Sequence, residues 1–384
     1  MKNKLKNQKA NSKTKISKMN KKHSDILQPL TEGVVTLYHN NNKNNYLEGM
    51  LFNEYLEHIK NNAIDLYKKI DFADEERLNN WLARMQKSCT GFSTKGGRGA
   101  AYRAGQKRNP LARKNGVRDL FKIVEQDSPK SVLDALGGSG TMSRVRSLLE
   151  DEFENPIPLI ITSDLDSDQI SAALKDGFLA IRQPAQDTLF KSNTFDAILF
   201  AYGTHHLPVS TRPEAWREAY RLLNDQGRII VQDFETGTPT EKWYSEVLHL
   251  TTKTGHACTH FTANQLRDDL IDSGFKNVEI HYIYDAFILC GDTEEEALVN
   301  GIRHIVNLFG MEYLYPESDN RKNWLEIIER LDRYFTIPEY VQLNGEFERK
   351  ITVRKVGDQY EAEFPRVALV VTGVKIEHNK FIKK

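Results

Sequence analysis

The chain has 384 residues, 39% of them hydrophobic and 28% charged, with 53 Lys+Arg against 53 Asp+Glu. That is enough for one large core with additions, or one to three domains, and the zero net charge excludes a general polyanion binder. No apolar run approaches the ~20 residues that cross a bilayer, and there is no secretory signal core. With three unpaired-looking cysteines (Cys89, Cys258 and Cys290), this points to a reduced, cytoplasmic protein.

In chain order, residues 1–24 are rich in lysine and asparagine, from Lys2 to Lys22, and predict a disordered basic tail. Asparagine and lysine also crowd elsewhere, as in Asn40–Asn45, which favours a solvated tail over an RNA-binding one. Residues 25–115 read as an N-terminal helical cap followed by a Gly/Arg loop. Leu47, Leu51, Phe52, Tyr55, Leu56, Ile59, Leu66 and Ile70 recur at helical spacing, and Leu78, Trp81 and Leu82 repeat the pattern. Such helices can cover a substrate, make an oligomer contact or simply extend the core. From Gly91 to Arg113, glycines alternate with Lys95, Arg98, Arg103, Arg108 and Arg113. A loop of this composition can wrap a carboxylate or phosphate, because guanidinium forks are bidentate; a solvated linker is the alternative.

The most informative stretch is Ser131–Thr141. A short strand ends in Asp134 and turns through Gly137, Gly138 and Gly140 into a helix beginning near Met142. A turn with so little side chain lets backbone approach a bound nucleotide. A second strand, 158–163, ends in Asp164, at the spacing where an acid meets a ribose hydroxyl pair. An edge strand follows near Phe178–Ile181. The strand at Ala197–Phe200 then opens into Tyr202-Gly-Thr-His205-His206-Leu-Pro208, and a further helix leads to a fifth strand at Arg228–Val231. Alternating strands and helices predict a parallel sheet covered on both faces.

This region, about Ser131 to Phe287, resembles the class I S-adenosylmethionine-dependent methyltransferases of small-molecule type. The family's acidic G-x-G-x-G motif corresponds to Asp134, Leu136, Gly138 and Gly140, with Leu136 replacing the first glycine. The Asp-Ala pair beside adenine corresponds to Pro184-Ala185, so Gln183, Gln186 or Asp187 would substitute for the acid. The resemblance implies an α/β, Rossmann-like three-layer sandwich with a mostly parallel sheet, an N-terminal helical cap and a C-terminal α+β insertion. The expected domains are 116–290 with 365–378 as the S-adenosylmethionine-binding unit, and 291–364 as the insertion or accessory domain. The competing arrangement makes Ala286–Cys290 the closing strand. The cofactor-binding set implied is Asp134, Gly137, Gly138, Gly140, Asp164, Leu165, Ala185, Gln186 and Tyr202.

Ligands of open parallel sheets bind at the carboxyl ends of the strands. Two loops there carry histidines: His205 and His206 after the fourth strand, His256 and His260 after the fifth. His205, His206 and His256 are the candidate catalytic residues, since imidazole suits a general base at neutral pH. His206, His256 and His260 are candidate metal ligands, and Asp233, Glu235 and Trp243 candidate pocket residues. The expected activity is methyl transfer to a small polar metabolite, as an O-, N- or activated C-nucleophile. The alternatives are a nucleic-acid methyltransferase and a non-catalytic binding module. No membrane partner is expected, and an oligomer could form through the N-terminal helices.

Overall fold

In the computed structural model, the described residues are 46–47, 49–73, 75–87, 98–252, 255–311, 327, 329–343 and 345–377. The basic tail and the glycine-rich run before Arg98 lie outside them. The chain divides into a unit ending at Gln86 and a second beginning at Lys87.

In the first unit, helices α1 (Phe52–Asn62) and α2 (Glu75–Lys87) form where the apolar spacing predicts them. Their buried faces supply an aromatic cluster in which the Phe52 and Trp81 ring centres lie 5.5 Å apart.

The second unit is built on a seven-stranded sheet of order β3-β2-β1-β4-β5-β10-β6. The strands are β1 (Ser131–Asp134), β2 (Leu159–Asp164), β3 (Ala180–Arg182), β4 (Phe195–Phe200), β5 (Leu223–Asp233), β6 (Lys276–Tyr284) and β10 (Val367–Val374). β1 to β5 pair in parallel, whereas β10 runs antiparallel to both β5 and β6. Every residue of β1 and β10 is buried, which is why these strands read as continuous apolar runs rather than alternating ones. Helices α4 (Lys114–Val124), α5 (Thr141–Leu148), α6 (Ser167–Lys175), α7 (Arg212–Leu222) and α8 (Ala263–Asp272) complete the α/β architecture. Asp166 and Thr262 cap α6 and α8 by accepting N–H bonds from their first turns.

Between β6 and β10 the chain leaves the sheet. β7 (Phe287–Gly291), β8 (Thr352–Val356) and β9 (Gln359–Phe364) form a separate antiparallel sheet of order β7-β9-β8. The Ala286–Cys290 segment therefore pairs with β9 and does not close the main sheet. Helix α9 (Glu294–Leu308) packs on β7 and β9. Gly301 permits that contact, because a Cβ there would meet the Phe364 ring at 2.0 Å.

The Gly/Arg stretch is not a continuous loop: Gly99–Arg108 is helix α3. Three alanines outweigh its glycines in propensity, and Gly105 lets α3 approach α9, since a Cβ there would lie 3.2 Å from Leu308.

The insertion leaves and re-enters at one buried ion pair. The Asp285 N–H donates to the Arg366 carbonyl at 2.9 Å, and Arg366 Nη2 donates to Asp285 Oδ2 at 2.5 Å. Both side chains are almost wholly buried. Arg366→Leu should therefore cost about 3–5 kcal/mol, because it strands a buried carboxylate, whereas Asp285→Asn with Arg366→Leu should recover part of the loss. Urea unfolding of the three variants measures this; an Arg366→Leu cost under about 1 kcal/mol would contradict the role given to the pair.

Candidate active site

The site lies at the carboxyl ends of β1, β2, β4 and β5. Its first half is the turn after β1. Gly138 and Gly140 adopt φ of 54° and 77°, in the left-handed region that favours glycine. The Gly138 N–H donates to Asp164 Oδ2 at 3.1 Å, and the Asp166 N–H to Asp164 Oδ1 at 2.9 Å. Asp164 thus braces the glycine turn from the end of the neighbouring strand. A Cβ added at Gly138 would touch only Gln169, with its Oε1 at 3.6 Å, so the left-handed φ rather than crowding selects glycine there.

Asp134 is fully buried, and neither of its carboxylate oxygens meets a hydrogen-bond donor among the described residues. Burial and the nearby Asp164 push its pKa up to about 8. Burial likewise raises Asp164 to about 6, against the opposing pull of its backbone N–H donors. The pair therefore carries fewer charges at neutral pH than its two carboxyls suggest.

The other expected donor-site residues are distributed around this turn. The half-buried Leu136 faces Gly203, whose added Cβ would lie 3.6 Å from the Leu136 Cβ. The Leu165 carbonyl accepts from Arg182 Nε at 2.9 Å, and Ala185 is buried just beyond β3. Gln186 Nε2 donates to Thr211 Oγ1 at 3.1 Å, and Gln183 Oε1 accepts from the Leu189 N–H at 3.0 Å. Tyr202 has φ of 58°, and its hydroxyl donates to Asp285 Oδ1 at 2.8 Å, toward the root of the insertion.

The second half is a cluster of imidazoles. His205 and His206 ring centres lie 4.4 Å apart, His205 and His256 5.0 Å, and His206 and His256 5.3 Å. The three expected catalytic histidines thus share one space, and His260 joins them with its ring 4.5 Å from His205. The loops meet because Glu235, just past β5, bridges to Phe261, and the Thr236 N–H donates to the Phe261 carbonyl at 2.8 Å. Arg212, at the start of α7, fastens both loops: its Nε donates to the Leu207 carbonyl at 3.1 Å and its Nη2 to the Thr259 carbonyl.

Asp233, the last residue of β5, organises the cluster. Its Oδ1 lies 3.0 Å from His205 Nδ1 and 3.1 Å from His260 Nδ1, and also accepts from the Phe234 N–H at 2.7 Å. A carboxylate only accepts, so both imidazoles carry hydrogen on Nδ1 and turn a bare Nε2 away from Asp233. Burial opposes the charge on Asp233, yet His205 and His260 hold its pKa far below the usual carboxylate range. Burial lowers His205, His206 and His256, most strongly the latter two, so their rings are neutral at pH 7. Arg98 Nη2 lies 2.9 Å from His256 Nδ1. Tyr244, on the π-helical turn Trp243–Leu248, places its ring 5.0 Å from His256.

Arg98, Arg212 and Tyr244 were not singled out by sequence as members of this pocket. Arg98 was visible only as one of several loop cations. The pairing of Asp233 with two histidines also needs the three-dimensional register of β5 against the 255–261 segment.

Because the fold holds His205 and His256 neutral, the unfolded chain binds protons first as pH falls below about 6.5. Stability should then rise with pH, by as much as ~1.4 kcal/mol per pH unit for each imidazole between pH 5 and 6.5. Urea unfolding across this range should show that slope and a shallower one in His256→Gln; equal slopes would contradict it.

Residues 106–280 match the family model described as a methyltransferase domain. A ubiquinone/menaquinone biosynthesis C-methyltransferase UbiE of Agrobacterium fabrum is 28% identical over 134 residues, covering 31% of this chain and 49% of that protein. The UbiE of Hahella chejuensis is 25% identical over 136 residues, covering 32% of this chain and 52% of its own. The chain thus spans about half the length of these curated relatives. Among solved structures, a SAM-dependent methyltransferase from Archaeoglobus fulgidus aligns at 14% identity and a TM-score of 0.40, over 71% of this chain and 99% of that one. Phosphoethanolamine N-methyltransferase 2 of Haemonchus contortus, in complex with S-adenosyl-L-methionine, aligns at 15% identity and a TM-score of 0.43, over 76% and 61%.

Proposed function

We propose that this chain, a class I S-adenosylmethionine-dependent methyltransferase through its residues 106–280, methylates a small polar acceptor held against the imidazole cluster. The single observation that carries the acceptor reading is the convergence of His205, His206 and His256 at the mouth of the same sheet that carries the glycine turn.

The donor fits the first half of the site. Asp164 keeps lone pairs beyond those used by the Gly138 and Asp166 N–H groups, and these would receive the ribose hydroxyls. The turn through Gly138 and Gly140, in left-handed backbone with no side chains, would let a cofactor pass close over it. Leu165, Ala185 and Gln186 would line the adenine side, and Asp134 would stay beneath the turn. The donor supplies an activated methyl group; the protein orients it, excludes water and presents the nucleophile in line.

In the transfer, the sulfur–methyl bond breaks as the bond to the acceptor atom forms, and the sulfonium becomes a neutral thioether. The acceptor must lose a proton. Of these imidazoles, His205 turns a bare Nε2 lone pair inward that is suited to managing that charge, and His206, the most exposed of them, is placed to pass the proton to water. The zero net charge favours a small molecule over nucleic acid. The free thiols Cys258 and Cys290 accord with a reducing, cytoplasmic setting. No helix among the described residues is long and apolar enough to cross a membrane.

Calorimetric titration with S-adenosylmethionine tests the donor half. Asp164→Ala should weaken binding by about 1.5–3 kcal/mol, as for a lost charged hydrogen bond. Wild-type affinity should fall as pH drops through about 6, because protonation removes the charge on Asp164, and Asp164→Asn should flatten that dependence. Unchanged donor affinity in Asp164→Ala would overturn the assignment.

A further inference from the structure

We propose that His205, His256 and His260 form a binding site for one divalent transition-metal ion, which holds an oxygen of the acceptor. The chemical role rests on the methyl-transfer reading above; the existence of the site does not.

Each of the three residues offers a ligand atom within 4.8 Å of the others, and all three are at least 95% buried. Ligands at ~2.1 Å from a tetrahedral ion are ~3.4 Å apart, so modest inward motion closes the set. Asp233 accounts for two of the three ligands. By fixing hydrogen on Nδ1 of His205 and His260, it leaves both Nε2 lone pairs available, as carboxylates behind metal-binding histidines do. His260 Nε2 is buried and meets no hydrogen-bond partner among the described residues. A buried bare lone pair beside a second imidazole calls for a cation or a donor between them.

His256 behaves differently. Arginine only donates, so the Arg98 contact makes His256 Nδ1 the acceptor and leaves hydrogen on Nε2. His256 Nε2, too, is buried without a partner. To bind an ion through Nε2, His256 must move its proton to Nδ1, and Arg98 must withdraw. The guanidinium and the ion are both positive and face the same imidazole, so they compete. Arg98 is therefore an antagonist of the metal, and its displacement accompanies loading.

A second grouping, His206, His256 and Cys258, shares His256. One ion cannot serve both sets through the same nitrogen. The buried set prevails because Asp233 orients two of its members, whereas His206 in the second set lies exposed. An imidazole-only site with an open position suits zinc, cobalt, iron or nickel. There the ion would stabilise the oxyanion left when an acceptor hydroxyl or enolisable carbonyl gives up its proton.

The test uses the full chain, stripped with chelator and titrated with Co²⁺ and Zn²⁺. Metal content and the visible Co²⁺ spectrum should report about one ion per chain. His205→Gln, His256→Gln and His260→Gln should each weaken binding by at least ~100-fold, and Asp233→Asn by ~10–100-fold. Arg98→Ala should bind more tightly than wild type, and His206→Ala should bind as wild type does. Near-ultraviolet circular dichroism shows which variants are folded, and the Arg98 and wild-type measurements decide the matter if histidine variants unfold. No stoichiometric ion in the stripped wild type, loss of binding in His206→Ala alone, or weaker binding in Arg98→Ala would overturn the site. Calorimetry with S-adenosylmethionine on the stripped protein separates the two claims: donor binding that persists without a metal site leaves methyl transfer standing.

Discussion

A fully buried carboxylate has to be paired, and Asp233 meets that constraint by taking N–H bonds from His205, His260 and the Phe234 backbone at once. Much of the pocket depends on it. The pairing draws the loop after β4 against the 255–261 segment, fixes the tautomers of two imidazoles and leaves their reactive nitrogens facing one space. Arg212 reinforces the arrangement from outside by holding a carbonyl of each loop. An apolar residue at 233 could fill the volume but would offer no acceptor to orient either ring.

The sheet supplies the other constraint. Because β1, β2, β4 and β5 run in parallel, their carboxyl ends emerge on one edge and bring Asp134, Asp164, Tyr202 and Asp233 together from distant parts of the sequence. The antiparallel β10 inserts between β5 and β6, and the buried Asp285–Arg366 pair closes the place where the insertion departs. Tyr202 links the two regions, since its backbone follows β4 while its hydroxyl reaches Asp285. The insertion is thereby anchored beside the active-site loops without contributing a strand to the main sheet.

Much of this was legible in the sequence because the signals are local. The Asp134–Gly140 turn and the Asp164 strand end follow from strand-length patterns and the glycine spacing. The meeting of His205, His206 and His256 followed from strand order alone, because loops after adjacent parallel strands emerge side by side. What could not be read depends on pairing across distance. Nothing near Asp233 marks it as the partner of His260, and Arg98 looked like its neighbouring cations until the fold buried it against His256. Helix α3 reads as loop in the sequence because glycine is a common turn residue. Gly105 is instead a small contact surface for α9.

Donor and acceptor are proposed to meet between the glycine turn and the imidazole cluster. A crystal structure with S-adenosylhomocysteine bound should show the ribose hydroxyls on Asp164 and the sulfur facing the space shared by His205, His206 and His256. A ligand bound with its sulfur directed away from those rings, or absent from the Asp134–Gly140 turn, would contradict it.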